Sequence, residues 1–123
     1  MQGQETSVST ISQAEWQSIV TSIASNSADH DPRRNNPREP FTNYEDVKLN
    51  ILTAGVIEHY VARITELSIG GVTCWTEREV PERVKVMFQF HPDQNPVRLR
   101  GRIVHCTQTI GGYKVGIELE FPE

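Results

Sequence analysis

No apolar run in this 123-residue sequence approaches the roughly 20 residues that cross a bilayer, so membrane insertion is not expected. The start, Met1-Gln2-Gly3-Gln4-Glu5, lacks the basic and apolar regions of a secretory signal, and a cytoplasmic location is expected. Basic charge is also short. Twelve Lys and Arg against 16 Asp and Glu give a net charge of −4. That excludes a general binder of nucleic-acid polymers, whose affinity rests on counterion release from phosphates. Arg98, Arg100 and Arg102 do alternate along one strand, but no aromatic side chain accompanies them as a stacking platform.

Cysteine is scarce. Cys74 and Cys106 lie far apart without Cys-x-x-Cys spacing, which reads as two reduced thiols, with a strand-to-strand disulfide as the lesser alternative. His30, His59, His91 and His105 are scattered without the spacing of metal ligands, and His59 and His105 read as exposed or half-buried strand residues. No nucleophile with a base, and no phosphate-cradling glycine loop, is recognisable. Neither metal, cofactor nor enzymatic activity is therefore expected.

What is present falls into three parts: a tail and helix over 1–25, a linker over 26–40, and a strand-rich domain over 41–123. Ser12-Gln13-Ala14-Glu15 is a capping box. Ile11 and Trp16 flank it as a hydrophobic staple, and Trp16, Ile19, Val20 and Ile23 form one apolar stripe at helical spacing. The helix is expected to fade at Ser25-Asn26-Ser27. Such a short helix needs a surface to cover, either its own domain or a partner, including a second copy of this chain. Residues 26–40 are rich in Asn, Asp, Pro and Arg and nearly devoid of apolar side chains, as expected of a flexible linker stiffened by its prolines.

Six strand-like segments follow at Asp46–Leu52, Val56–Leu67, Gly71–Thr76, Val84–Phe90, Val97–Thr107 and Tyr113–Phe121. With no helix between them they predict a small all-β antiparallel barrel, because closure removes exposed edges. A hairpin centred between Ala54 and Gly55 pairs residue i with about residue 109 − i. That sets Val47 opposite Ala62 and Leu49 opposite Tyr60, with apolar residues on one face. Extended outward, the same register sets Phe41 near Ser68 and Arg38 near Gly71.

Two motifs then meet at one barrel end. Arg34-Asn35-Asn36-Pro37-Arg38 offers two planar guanidinium forks, which can grip phosphates or the O6 and N7 edge of guanine. Glu66-Leu67-Ser68-Ile69-Gly70-Gly71 offers a carboxylate, a hydroxyl and a backbone without side-chain cover. The combination suits a small, flat, anionic guest such as a guanine nucleotide. These residues resemble the PilZ domain, whose pattern is Arg-x-x-x-Arg in an N-terminal linker and Asp/Asn-x-Ser-x-x-Gly after the second barrel strand. The tail Tyr113-Lys114-Val115-Gly116-Ile117-Glu118-Leu119-Glu120-Phe121 is similar to the family's closing strand, and the likeness covers about residues 32–121.

The resemblance implies a six-stranded PilZ-like barrel and a receptor for cyclic di-GMP in bacterial second-messenger signalling. It further implies ligand contacts from Arg34, Arg38, Glu66, Ser68 and Gly71, assisted by Arg33, and an output passed to an unidentified protein partner. Two positions depart from the pattern. Glu66 stands where the family has Asp or Asn, which leaves open an adaptor that has lost the nucleotide and works through protein contacts. Pro81-Glu82-Arg83 stands where such domains often have a glycine before the fourth strand, a change expected to affect a turn.

Overall fold

The computed structural model describes residues 11–25, 39–40, 45–92 and 96–121. Helix α1 spans Gln13–Ser25, and seven strands follow: β1 Glu39–Pro40, β2 Asp46–Thr53, β3 Val56–Leu67, β4 Gly71–Thr76, β5 Lys85–Phe90, β6 Val97–Thr109 and β7 Gly112–Glu120. All pairings are antiparallel, in the order β1-β3-β2-β5-β6-β7-β4, and β4 pairs back onto β3. Six strands thus close a barrel, and β1 pairs with the end of β3, beyond its ladder with β2 and opposite β4. Among the described residues no helix is long and apolar enough to cross a membrane.

The hairpin register expected from the turn holds across all eight β2–β3 pairs, from Thr53↔Val56 to Asp46↔Arg63, including Val47↔Ala62 and Leu49↔Tyr60. Its two-residue turn takes Ala54 to φ 51° and Gly55 to φ 80°, the left-handed pair that matches the right-handed twist of the strands. Period-two alternation then sends Val47, Leu49 and Ile51 inward. They meet Phe88, Phe90, Leu99, Ile103, Val115 and Ile117 in a single core.

Beyond Asp46 the register changes. Glu39 pairs with Leu67 and Pro40 with Glu66, so paired positions sum to 106 rather than 109. The outward extension expected from the sequence is therefore wrong by three residues. Five residues separate Pro40 from Asp46 whereas two separate Arg63 from Glu66, and a straight ladder has no room for that excess. Phe41 and Arg38 themselves lie outside the described residues.

Helix α1 packs on its own barrel. Ser12 N–H donates to Glu15 Oε1 at 3.0 Å and Glu15 N–H donates to Ser12 Oγ at 3.2 Å, completing the capping box. The Ser12 backbone bond first, and its hydroxyl second, hold the Glu15 carboxyl below its ordinary range. Trp16 is fully buried, Val20 nearly so, and Ile11, Ile19 and Ile23 lie against the same core. Trp16 meets Phe90 edge-on, with ring centroids 6.2 Å apart.

Cys74 and Cys106 are free thiols. Both pair with Val115, from opposite sides, so two strand spacings, about 9.5 Å, hold them apart. That exceeds the roughly 7 Å Cα separation a disulfide spans and rules out the strand-to-strand bridge. Burial first, and the neighbouring Cys106 second, push the Cys74 thiol up to about 12.

Candidate functional site

The acidic-x-Ser-x-x-Gly motif forms the tight connection between β3 and β4. Ser68 N–H donates to Gly71 O at 2.9 Å, Gly71 N–H donates back to Ser68 O at 3.4 Å, and the Ser68 hydroxyl also donates to Gly71 O at 3.3 Å. Two outside bonds fix this turn. Trp16 Nε1–H donates to Ser68 O at 2.8 Å, and Leu119 N–H donates to Gly70 O at 2.9 Å. The first ties helix α1 directly to the motif.

Gly71 is required by the fold. A Cβ there would lie 2.6 Å from the Ile117 carbonyl oxygen, so β4 and β7 could not approach as they do. Gly70 has nothing within 4 Å of that position. The glycine of the motif therefore shapes the turn whatever else it does.

Two β-bulges aim polar side chains at the same place. In β3 the buried positions run Tyr60, Ala62, Ile64 and then Leu67. The change of parity comes from a register shift between Ile64 and Glu66 against β4. Without it, strict alternation would point Glu66 into the core. In β6 the buried positions run Val97, Leu99, Gly101 and Ile103, and a second shift between Ile103 and His105 turns His105 outward. Bulges beside functional sites commonly redirect side chains in this way.

The consequence is a continuous transverse row across five strands. Pro40 pairs with Glu66, Glu66 with Thr73, Thr73 with Gly116 and Gly116 with His105. The row crosses a shallow cleft of about 250 Å³, lined among others by Glu66, Ser68, Gly71, Thr73, His105 and Glu118. Gly116 leaves the floor bare, and the His105 ring lies over it: a Cβ at Gly116 would fall 2.2 Å from His105 Nε2.

Glu66 is the conspicuous member of the row. Its Oε1 is shielded from solvent and has no hydrogen-bond partner among the described residues. An unpaired buried acceptor of this kind costs about 1–3 kcal/mol, which an arriving donor would recover.

The structure thus brings Glu66, Ser68 and Gly71 together, while Arg33, Arg34 and Arg38 lie outside the described residues. It adds His105, Gly116 and Glu118 to the cleft, which motif reading had passed over. The only sequence signal for His105 is the break in β6 alternation after Ile103. Trp75 has a packing role, its ring lying against Gly112, where a Cβ would fall 2.3 Å from Cζ2. Arg83 takes φ 66°, the left-handed conformation that a glycine before the strand would adopt without strain. Among the described residues no cluster of His, Cys, Asp and Glu could hold a metal.

Comparison with curated proteins returns no match. The PilZ domain family, in contrast, matches residues 32–123, a span that contains the closed barrel, the bulged strands and the cleft. With that match and this architecture, the chain belongs to the PilZ domain family, a family of cyclic di-GMP receptors.

Proposed function

We propose that this protein is a non-enzymatic, cytoplasmic receptor for cyclic di-GMP, and that the ligand lies in the cleft between Glu66 and His105. The Oε1 of Glu66, without a hydrogen-bond partner among the described residues, carries this reading. A guanine presents N–H donors along one edge, and a buried carboxylate oxygen without a partner is an acceptor waiting for such a donor. The exposed His105 ring over Gly116 supplies a flat face for a base. At about 250 Å³ the cleft falls below the usual range of roughly 300–1,000 Å³ for small-molecule pockets. A second wall is therefore needed, and the Arg34–Arg38 linker is its source.

Strand β1 supports that assignment, because the residues that follow Arg38 pair with Leu67 and Glu66. Were that register to continue one step further, position 38 would stand opposite Ser68. Arg34 and Arg38, assisted by Arg33, would then close over the ligand and pair with its phosphates. Ordering of the linker would be transmitted through Ser68 O to Trp16 and helix α1, and so to a partner protein.

A second reading rests on the same turn. The Ser68 hydroxyl is already spent on Gly71 O, and its carbonyl on Trp16, as suits an adaptor that works without nucleotide. Amide chemical shifts on titration with cyclic di-GMP separate the two. The receptor reading expects changes at Glu66, Thr73, His105 and Gly116 that vanish in Arg34→Ala and Arg38→Ala. A wild type that stays silent while Glu66→Asp responds would establish the adaptor.

A further inference from the structure

A second concavity, larger than the ligand cleft, opens on the outer surface of β2, β3, β5 and β6, with a volume of about 590 Å³. Its character follows from register. One paired row runs Ile57, Leu52, Lys85, Arg102, and the next runs His59, Asn50, Met87, Arg100. The β3–β2 side thus presents Ile57 and Leu52 beside His59 and Asn50, and the β5–β6 side presents Lys85, Arg100 and Arg102 beside Met87. Ile57, Leu52 and Met87 are 60%, 48% and 43% exposed. Lys85, Arg100 and Arg102 are exposed as well, and no ion pair reaches them among the described residues. That includes Glu118 and Glu120, which face the two arginines from β7. Contiguous exposed apolar side chains mark an interaction surface, and the excess of cations over the one carboxylate that lines the groove, Glu120, gives it a sign.

We propose that this groove docks a segment of a partner protein whose apolar side chains fill the Ile57–Leu52–Met87 side and whose carboxylates meet Lys85, Arg100 and Arg102. Charge complementarity selects the acidic partner, and concavity selects an inserted helix or strand over a flat lipid surface. Nucleic acid is disfavoured because no Phe, Tyr or Trp is among the lining residues of the groove. A second copy docked by two-fold symmetry would set the cationic strip against itself, or the apolar strip against charge. Within this chain, residues 1–10 carry a single carboxylate, Glu5, and residues 26–38 carry no apolar side chain larger than Ala28 and the prolines. The inference goes beyond ligand binding and holds whichever guest the cleft takes.

The test uses the full ¹⁵N-labelled chain and four probes. These are a helix-forming peptide with Leu on one face and Glu along its flanks, a twin with Lys for Glu, oligothymidine, and phosphatidylglycerol vesicles. The Glu peptide is expected to shift the amides of Leu52, Met87 and Arg100 and to bind at least about tenfold more tightly than its twin. The double variant Lys85→Glu/Arg100→Glu should reverse that preference. Both positions are exposed and outside the cleft, so its response to cyclic di-GMP should match wild type, and circular dichroism should show it folded despite the new Glu facing Glu120. Four results would overturn the proposal: no localised shifts at about 1 mM peptide, equal binding of the twins, tighter binding of oligothymidine or vesicles at these residues, or a dimer in sedimentation that buries them.

Discussion

Removing Trp16 tests whether the N-terminal helix is an integral part of this fold or a loose appendage. The side chain is fully buried, meets Phe90 edge-on at 6.2 Å and donates to Ser68 O at 2.8 Å. Truncating a buried aromatic to Ala costs about 3–5 kcal/mol, a large share of the roughly 5–15 kcal/mol that holds a domain folded. Trp16→Phe separates the contributions. It keeps a ring against Phe90 but deletes the N–H, worth about 1 kcal/mol, and with the smaller ring the expected loss is about 1–2 kcal/mol. Because the six barrel strands close without α1, the loss should appear first as undocking of the helix. Urea unfolding followed by circular dichroism at a helical wavelength, with amide exchange at Gly71, reads both events. A change below about 0.5 kcal/mol for Trp16→Ala, the scale of an ordinary surface substitution, would refute the docking.

Four further expectations follow from local geometry. Gly71→Ala should destabilise the barrel, since its Cβ would meet Ile117 O at 2.6 Å, while Gly70→Ala should be close to neutral in thermal unfolding. Ala54→Asn and Arg83→Gly each relieve a left-handed residue, at φ 51° and 66°, and should raise stability by up to about 1 kcal/mol in urea titration. Thiol alkylation of the folded protein should label half-exposed Cys106 and spare Cys74, whose buried thiol is pushed up to about 12. Glu15 has a depressed folded-state pKa, so its cap contributes above the ordinary glutamate range and is lost as pH falls through the folded value. Helical circular dichroism should show that acid loss in wild type and not in Glu15→Gln.

The sequence was most legible where side-chain period and turn chemistry agree. The Thr53–Val56 turn fixed eight β2–β3 pairs, because a one-residue slip would have turned Val47, Leu49 and Ile51 to solvent. Ser12 and Glu15 likewise announced the start of α1. Legibility failed at irregularities. Alternation alone would have buried Glu66 and His105, and the bulges that redirect them leave only a parity break, between Ile64 and Leu67 in β3 and after Ile103 in β6. The three-residue error in extending the hairpin to β1 has the same origin, since the period of a strand says nothing about where extra residues leave the ladder. The Trp16–Ser68 bond, 52 positions apart, has no local signature; helical spacing showed only that Trp16 had an apolar face to bury.

We propose that the cleft row from Glu66 to His105, closed by the arginine linker, binds cyclic di-GMP. Isothermal titration of the wild-type chain tests it most directly. Saturable binding is expected, weakened at least about tenfold, or about 1.4 kcal/mol, by Arg34→Ala, by Arg38→Ala and by His105→Ala. An absence of heat at high micromolar ligand, or binding that none of these substitutions alters, would contradict it.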